Sequence, residues 1–158
     1  MYRTVIRAVA ATVVAVLATV AGFAAPVSAA AAPSPSSVVS FVTFDSDVAR
    51  THLNLDFPVG DCILFQGSQV VLGRPDANGF SYVEWTGTLR TTFTTHLDVF
   101  YLDVTFEDSF GTVIAASGTM DGPKMALNRD YDVDFYRPLI VDPVLWPLIS
   151  RVTWSAHC

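Results

Sequence analysis

Three histidines, thirteen aspartates, two glutamates and two cysteines carry most of the chemistry open to this 158-residue chain. His96 and Asp98 are the pair whose spacing invites a catalytic reading. Two residues apart on a strand, they would share one face, where a carboxylate can orient an imidazole. With Ser68 or Ser117 brought alongside, they would make a hydrolase or isomerase centre. No other signature supports this. The chain has no G-x-S-x-G elbow, no H-E-x-x-H, no phosphate loop and no glycine-rich dinucleotide fingerprint. Glycoside hydrolysis needs two facing carboxylates, and nothing in the sequence places Glu84 and Glu107 together. No residue is therefore assigned as catalytic, and an enzyme is the lesser reading.

Three stretches suggest binding instead. In Asp130-Tyr131-Asp132-Val133-Asp134, period two puts three carboxylates on one strand face. Calcium takes oxygen ligands of this kind and is the one metal cofactor the sequence suggests. An extended strand spreads Asp130 and Asp134 by about 13 Å, which favours a solvated edge that repels strand addition. In Phe80-Ser81-Tyr82-Val83-Glu84-Trp85, the set Phe80, Tyr82 and Glu84 opposes Val83 and Trp85. If the latter are core, two aromatics and a carboxylate point outward together, a surface suited to sugars. The alternative is that a neighbouring loop covers them. Finally, Leu139 to Ile149 is very apolar, yet Pro138, Pro143 and Pro147 bar it from a central strand or an ordinary helix. It either closes one end of the core or presents Leu145 and Trp146 to a partner or ligand.

Cys62 and Cys158 are the only cysteines. The chain opens with Arg3 and Arg7, an uncharged apolar run over 8–25, then Pro26 and small residues at Val27-Ser28-Ala29. This is the pattern of a secretory signal peptide over residues 1–29, cut after Ala29 or within the next alanines up to Ala32. Residues 30–37, Pro/Ser/Ala-rich, read as a flexible leader. An exported chain meets oxidising conditions, so the two thiols are expected to pair and rivet the chain end. Removing Arg3 and Arg7 leaves seven basic residues against 15 acidic ones, moving the net charge from −6 to −8. An acidic chain with a single lysine, Lys124, argues against nucleic acid and anionic membranes as partners.

Residues 38–158 are expected to form one all-β domain. Short runs rich in Val, Thr, Phe and Tyr alternate with turn residues, and no window has helical periodicity. Strands are predicted over 38–44, 51–57, 62–72, 80–90, 94–106, 112–120, 131–136 and 150–154. The spacing suggests a two-sheet antiparallel β-sandwich of immunoglobulin-like architecture, with a small closed β-barrel as the alternative. A ligand-carrying barrel would be lined by residues such as Phe65, Trp85, Phe100 and Leu102. In Thr94–Phe106 both faces are apolar, so either a bulge near Val99–Phe100 reverses the phase or the strand is central. The functional expectation is a small secreted domain that acts by binding, as a protein-interaction or inhibitor-like module. A carrier or carbohydrate-binding protein is the alternative. The partner would be a protein, a glycan or a small apolar molecule.

Overall fold

The computed structural model describes residues 36–158. The signal-peptide reading and most of the leader lie outside the described residues. Twelve strands run in chain order: β1 (Ser36–Phe41), β2 (Thr43–Asp45), β3 (Val48–His52), β4 (Phe57–Val59), β5 (Cys62–Leu64), β6 (Gln69–Gly73), β7 (Phe80–Thr91), β8 (Asp98–Glu107), β9 (Val113–Ala116), β10 (Met120–Met125), β11 (Asp130–Ile140) and β12 (Arg151–His157). A 3-10 turn at Trp146–Leu148 precedes β12. All strand pairs are antiparallel and form two sheets. The first runs β1-β12-β8, with β9 and β10 following one another along the free side of β8. The second centres on β7, with β11 on one side and β5 and β6 on the other; β6 continues to β3 and β2, and β5 to β4. Neither sheet closes on itself, so the architecture is the sandwich and the barrel alternative is set aside.

Alternation explains which face each strand buries. Val83, Trp85 and Leu89 of β7 meet Phe100, Leu102, Val104 and Phe106 of β8 and Val152, Trp154 and Ala156 of β12. Trp85, Phe100 and Leu102, expected to line a carrier cavity, are fully buried. Trp85 and Phe100 pack with ring centroids 6.0 Å apart. Burial of such side chains contributes about 1.5–3 kcal/mol each. β8 settles the question its two apolar faces raised: it is a central strand, with Phe100 to Phe106 inward in unbroken alternation. Its outward Tyr101 is covered by the His157 ring at 4.6 Å. The register irregularities fall on its partners, on β10 between Asp121 and Lys124 and on β9, where Phe106 and Glu107 face Ala115 and Val113.

Several boundaries differ from expectation. Ser36 and Ser37, assigned to the leader, already pair with Ala156 and Ser155 in β1. The run 38–44 is split: β1 lies in one sheet and β2 in the other, with the chain crossing at Val42. The run 62–72 turns at Gly67, whose φ of 83° suits glycine. Asp121-Gly122-Pro123, just past the strand expected over 112–120, lies inside β10, where the irregular register accommodates it. Pro138 sits within β11, and that is tolerated because β11 is an edge strand.

A shared hydroxyl and a disulfide are among the links between the sheets. At one side Ser40 Oγ accepts from Thr51 Oγ1 at 2.6 Å and from Trp154 Nε1 at 2.7 Å, so β1, β3 and β12 meet at one hydroxyl. Cys62 of β5 and Cys158, just past β12, form the expected disulfide, with Cα atoms 6.0 Å apart. The bond is immunoglobulin-like only in joining two sheets, since it ties the chain end.

Candidate ligand-binding face

The longest pairing in the molecule sets the candidate site. β11 lies against β7 without a break, from Asp130↔Arg90 to Ile140↔Phe80. Directly opposite residues share a face. The outer face therefore carries the rows Phe80–Ile140, Tyr82–Pro138, Glu84–Tyr136, Thr86–Asp134, Thr88–Asp132 and Arg90–Asp130. Inward residues of the same strands, Val83, Trp85, Leu89 and Val133, are core. Phe80, Tyr82 and Glu84 thus point outward together, as their alternation implied, and Phe80 remains 63% exposed.

Tyr136, absent from the sequence-based candidates, completes the face. Its ring stacks on Tyr82 with centroids 5.2 Å apart and planes 22° from parallel. Tyr82 lies over Gly73 of β6, where a Cβ would collide with its ring. Glycine here gives the ring its seat against the sheet. One side of Tyr136 is covered by Tyr82, yet the residue stays 63% exposed. On this edge strand Tyr136 stands directly opposite Glu84 and two residues from Asp134 on the same face. From the Tyr136 row to the Phe80 row is about 13 Å. The turn before β7 fixes the far end: Asp76 Oδ1 accepts from the backbone N–H groups of Asn78 and Phe80.

The three aspartates share this face, as predicted, but they do not converge. Asp130 makes two bonds to Arg90, at 2.6 and 2.8 Å, and Asp132 accepts from Thr88 Oγ1 at 2.9 Å. The Arg90 hydrogen bond holds the Asp130 carboxyl below its usual range. Each carboxylate is thus spread along an edge strand, and two have partners of their own.

Trp146 is almost entirely buried and packs edge-on against Phe44 at 4.9 Å. Of the two roles expected for the Pro143–Pro147 segment, it takes the first and closes one end of the core, with Trp146 buried in it. Leu145 keeps 39% exposure. Beside it a cleft of about 270 Å³ is lined by Arg74, Pro75, Asp76, Ala77, Pro143, Trp146 and Pro147.

His96 and Asp98 do not share a strand face. His96 lies in the bend before β8, exposed, and Asp98 is the first residue of β8. One Asp98 oxygen accepts from Thr91 Oγ1 at 2.6 Å, and Thr94 Oγ1 lies 3.0 Å from the other. Among the described residues no hydrogen bond joins Asp98 to the His96 ring. Ser68 donates to the Phe65 carbonyl and Ser117 to that of Gly118. Both hydroxyls are buried and serve the backbone.

No family model matches the chain, and no curated protein matches it. Among solved structures, the enzymatically active domain of tailspike protein 4 of bacteriophage CBA120 aligns over 76% of this chain and 16% of that one. The identity is 17% and the TM-score 0.26.

Proposed function

We propose that this protein is an exported binding module whose outer β7–β11 face takes a glycan, with the exposed Tyr136 as the stacking surface. The single observation behind this reading is the Tyr82–Tyr136 stack on an unbroken, in-register strand pair. Sugar rings offer apolar C–H faces to aromatic rings and hydroxyls to nearby acceptors. Tyr136 supplies the first. Glu84 and Asp134, on the same face, supply the second. Phe80 and Ile140 extend the apolar strip toward the β6–β7 turn.

The test is retention of the mature protein on immobilised polysaccharides of glucose, N-acetylglucosamine, mannose and xylose, beside a Tyr136→Ala variant. One sugar covering the exposed ring removes on the order of 60 Å² of apolar surface, about 1.5 kcal/mol at ~25 cal/mol/Å², or roughly tenfold in Kd. Tyr136→Ala should weaken retention by about that factor and leave the circular dichroism spectrum unchanged. Equal retention of both proteins would count against this face.

A further inference from the structure

We infer that the reduced form of this domain holds a thiophilic divalent cation such as zinc between Cys62, Cys158 and Asp98. This site is separate from the glycan face and does not depend on it. Each of the three residues offers a ligand atom within 4.8 Å of the other two. His157, next to Cys158 in the chain, is not one of the three. The His157 ring is stacked on Tyr101, on the outer face of its sheet. β5 brings Cys62 to the chain end, and the start of β8 brings Asp98 to both sulfurs.

Three features suit the group to a metal. Zinc binds thiolate sulfur at about 2.3 Å and carboxylate oxygen at about 2.0–2.2 Å, so tetrahedral ligand atoms stand about 3.5–3.8 Å apart. The Cα separation of 6.0 Å lets the sulfurs part to that distance once their bond is broken. The carboxylate is already oriented: Thr91 donates to one of its oxygens at 2.6 Å, and the Thr94 hydroxyl, 2.7 Å from the His96 carbonyl, lies 3.0 Å from the other. Such outer partners fix the ligand without using all its lone pairs. Asp98 and Cys158 are also only half-buried, which leaves an entry path and a fourth position for water.

The chemistry balances in two steps. A phosphine reductant supplies two electrons and becomes a phosphine oxide, taking its oxygen from water; the water protons go to the sulfurs, giving two thiols. The divalent cation then displaces both thiol protons and bonds two thiolates and the Asp98 carboxylate. The oxidised domain, with its sulfurs joined, has no thiolate to offer. Binding is therefore gated by the disulfide.

Cobalt(II) is the probe. Protein reduced with a phosphine and desalted anaerobically should take up one equivalent, with thiolate-to-cobalt charge-transfer absorption in the near ultraviolet and the visible bands of tetrahedral cobalt. The oxidised protein should show neither. Asp98→Ala should weaken cobalt binding more than about tenfold. If reduction alone loosens the sheets, added cobalt should restore their circular dichroism spectrum. Absence of charge-transfer absorption in the reduced protein would overturn the proposal. So would failure of cobalt to restore the fold of a loosened protein, or an Asp98→Ala variant that binds as tightly as the native chain.

Discussion

Ser40→Ala tests how the two sheets are held in register. The Ser40 hydroxyl accepts from Thr51 Oγ1 and Trp154 Nε1, and these two residues are 1% and 0% exposed. Alanine removes the acceptor and leaves two donors without water. An orphaned buried donor costs about 1–3 kcal/mol, so the pair sets a range of about 2–6 kcal/mol. The lower half is expected, because the serine hydroxyl no longer has to be desolvated. A loss near 3 kcal/mol in a domain of about 120 residues lowers Tm by about 12 °C. The space left by one oxygen is too small for a water to replace it. The assay is urea denaturation: the midpoint should fall while the slope stays constant. Ser37→Ala, on the exposed face of the same strand, should change stability by less than about 0.5 kcal/mol. Adding Thr51→Val to Ser40→Ala should cost less than the two single changes together, since that donor leaves with its acceptor. A Ser40→Ala variant within about 0.5 kcal/mol of the native chain would refute the reasoning.

Three further outcomes are expected. Replacing Cys158 with Ser, with Cys62 changed to Ala, should cost up to about 4.7 kcal/mol by the chain-entropy account for a loop near 100 residues; an unchanged thermal midpoint under oxidising conditions would mean that the bond does not restrain the chain. Burial pushes the Glu107 carboxyl up, but hydrogen bonds from Thr153, Arg151 and Thr105, with the Arg151 charge, outweigh this and hold it below its usual range. Its contribution is therefore complete above the unfolded carboxyl value of about 4.3 and is lost as pH falls through the lower folded value; Glu107→Gln should destabilise by about 1–3 kcal/mol at neutral pH, and a gap from the native chain that did not close on acidification would contradict this. Gly73→Val should displace the Tyr82 ring and weaken polysaccharide retention, read beside a circular dichroism check of folding.

Much of the layout was legible because burial follows local alternation. Val83, Trp85 and Leu89 mark the inner face of β7 in the sequence itself, and that assigns Phe80, Tyr82 and Glu84 outward. The disulfide was legible from the two cysteines once the apolar N-terminal run was read as an export signal. The rest depends on long-range register, which no local window holds. Tyr136 shares a period-two face with Asp130, Asp132 and Asp134, so its outward direction could have been read. Only the β7–β11 pairing places it on Tyr82. Asp98 reads as a partner for His96 until the bend at 92–97 turns it toward the sulfurs. Ser40 looks like any small polar residue in a strand, and its role appears only when β3 and β12 arrive. Pro123 and Pro138 mislead for a shared reason: an edge position or an irregular register removes the need for the proline N–H.

The most direct test of the central claim is a titration of isotope-labelled protein with oligosaccharides of those four sugars, followed by NMR on backbone amides and tyrosine ring protons. The account predicts that one series shifts the Tyr136 and Tyr82 rings and amides of β7 and β11 at Phe80–Thr86 and Asp134–Ile140, leaving the β1–β12 sheet unmoved. Shifts confined to another surface, or no shift with any of the four, would contradict it.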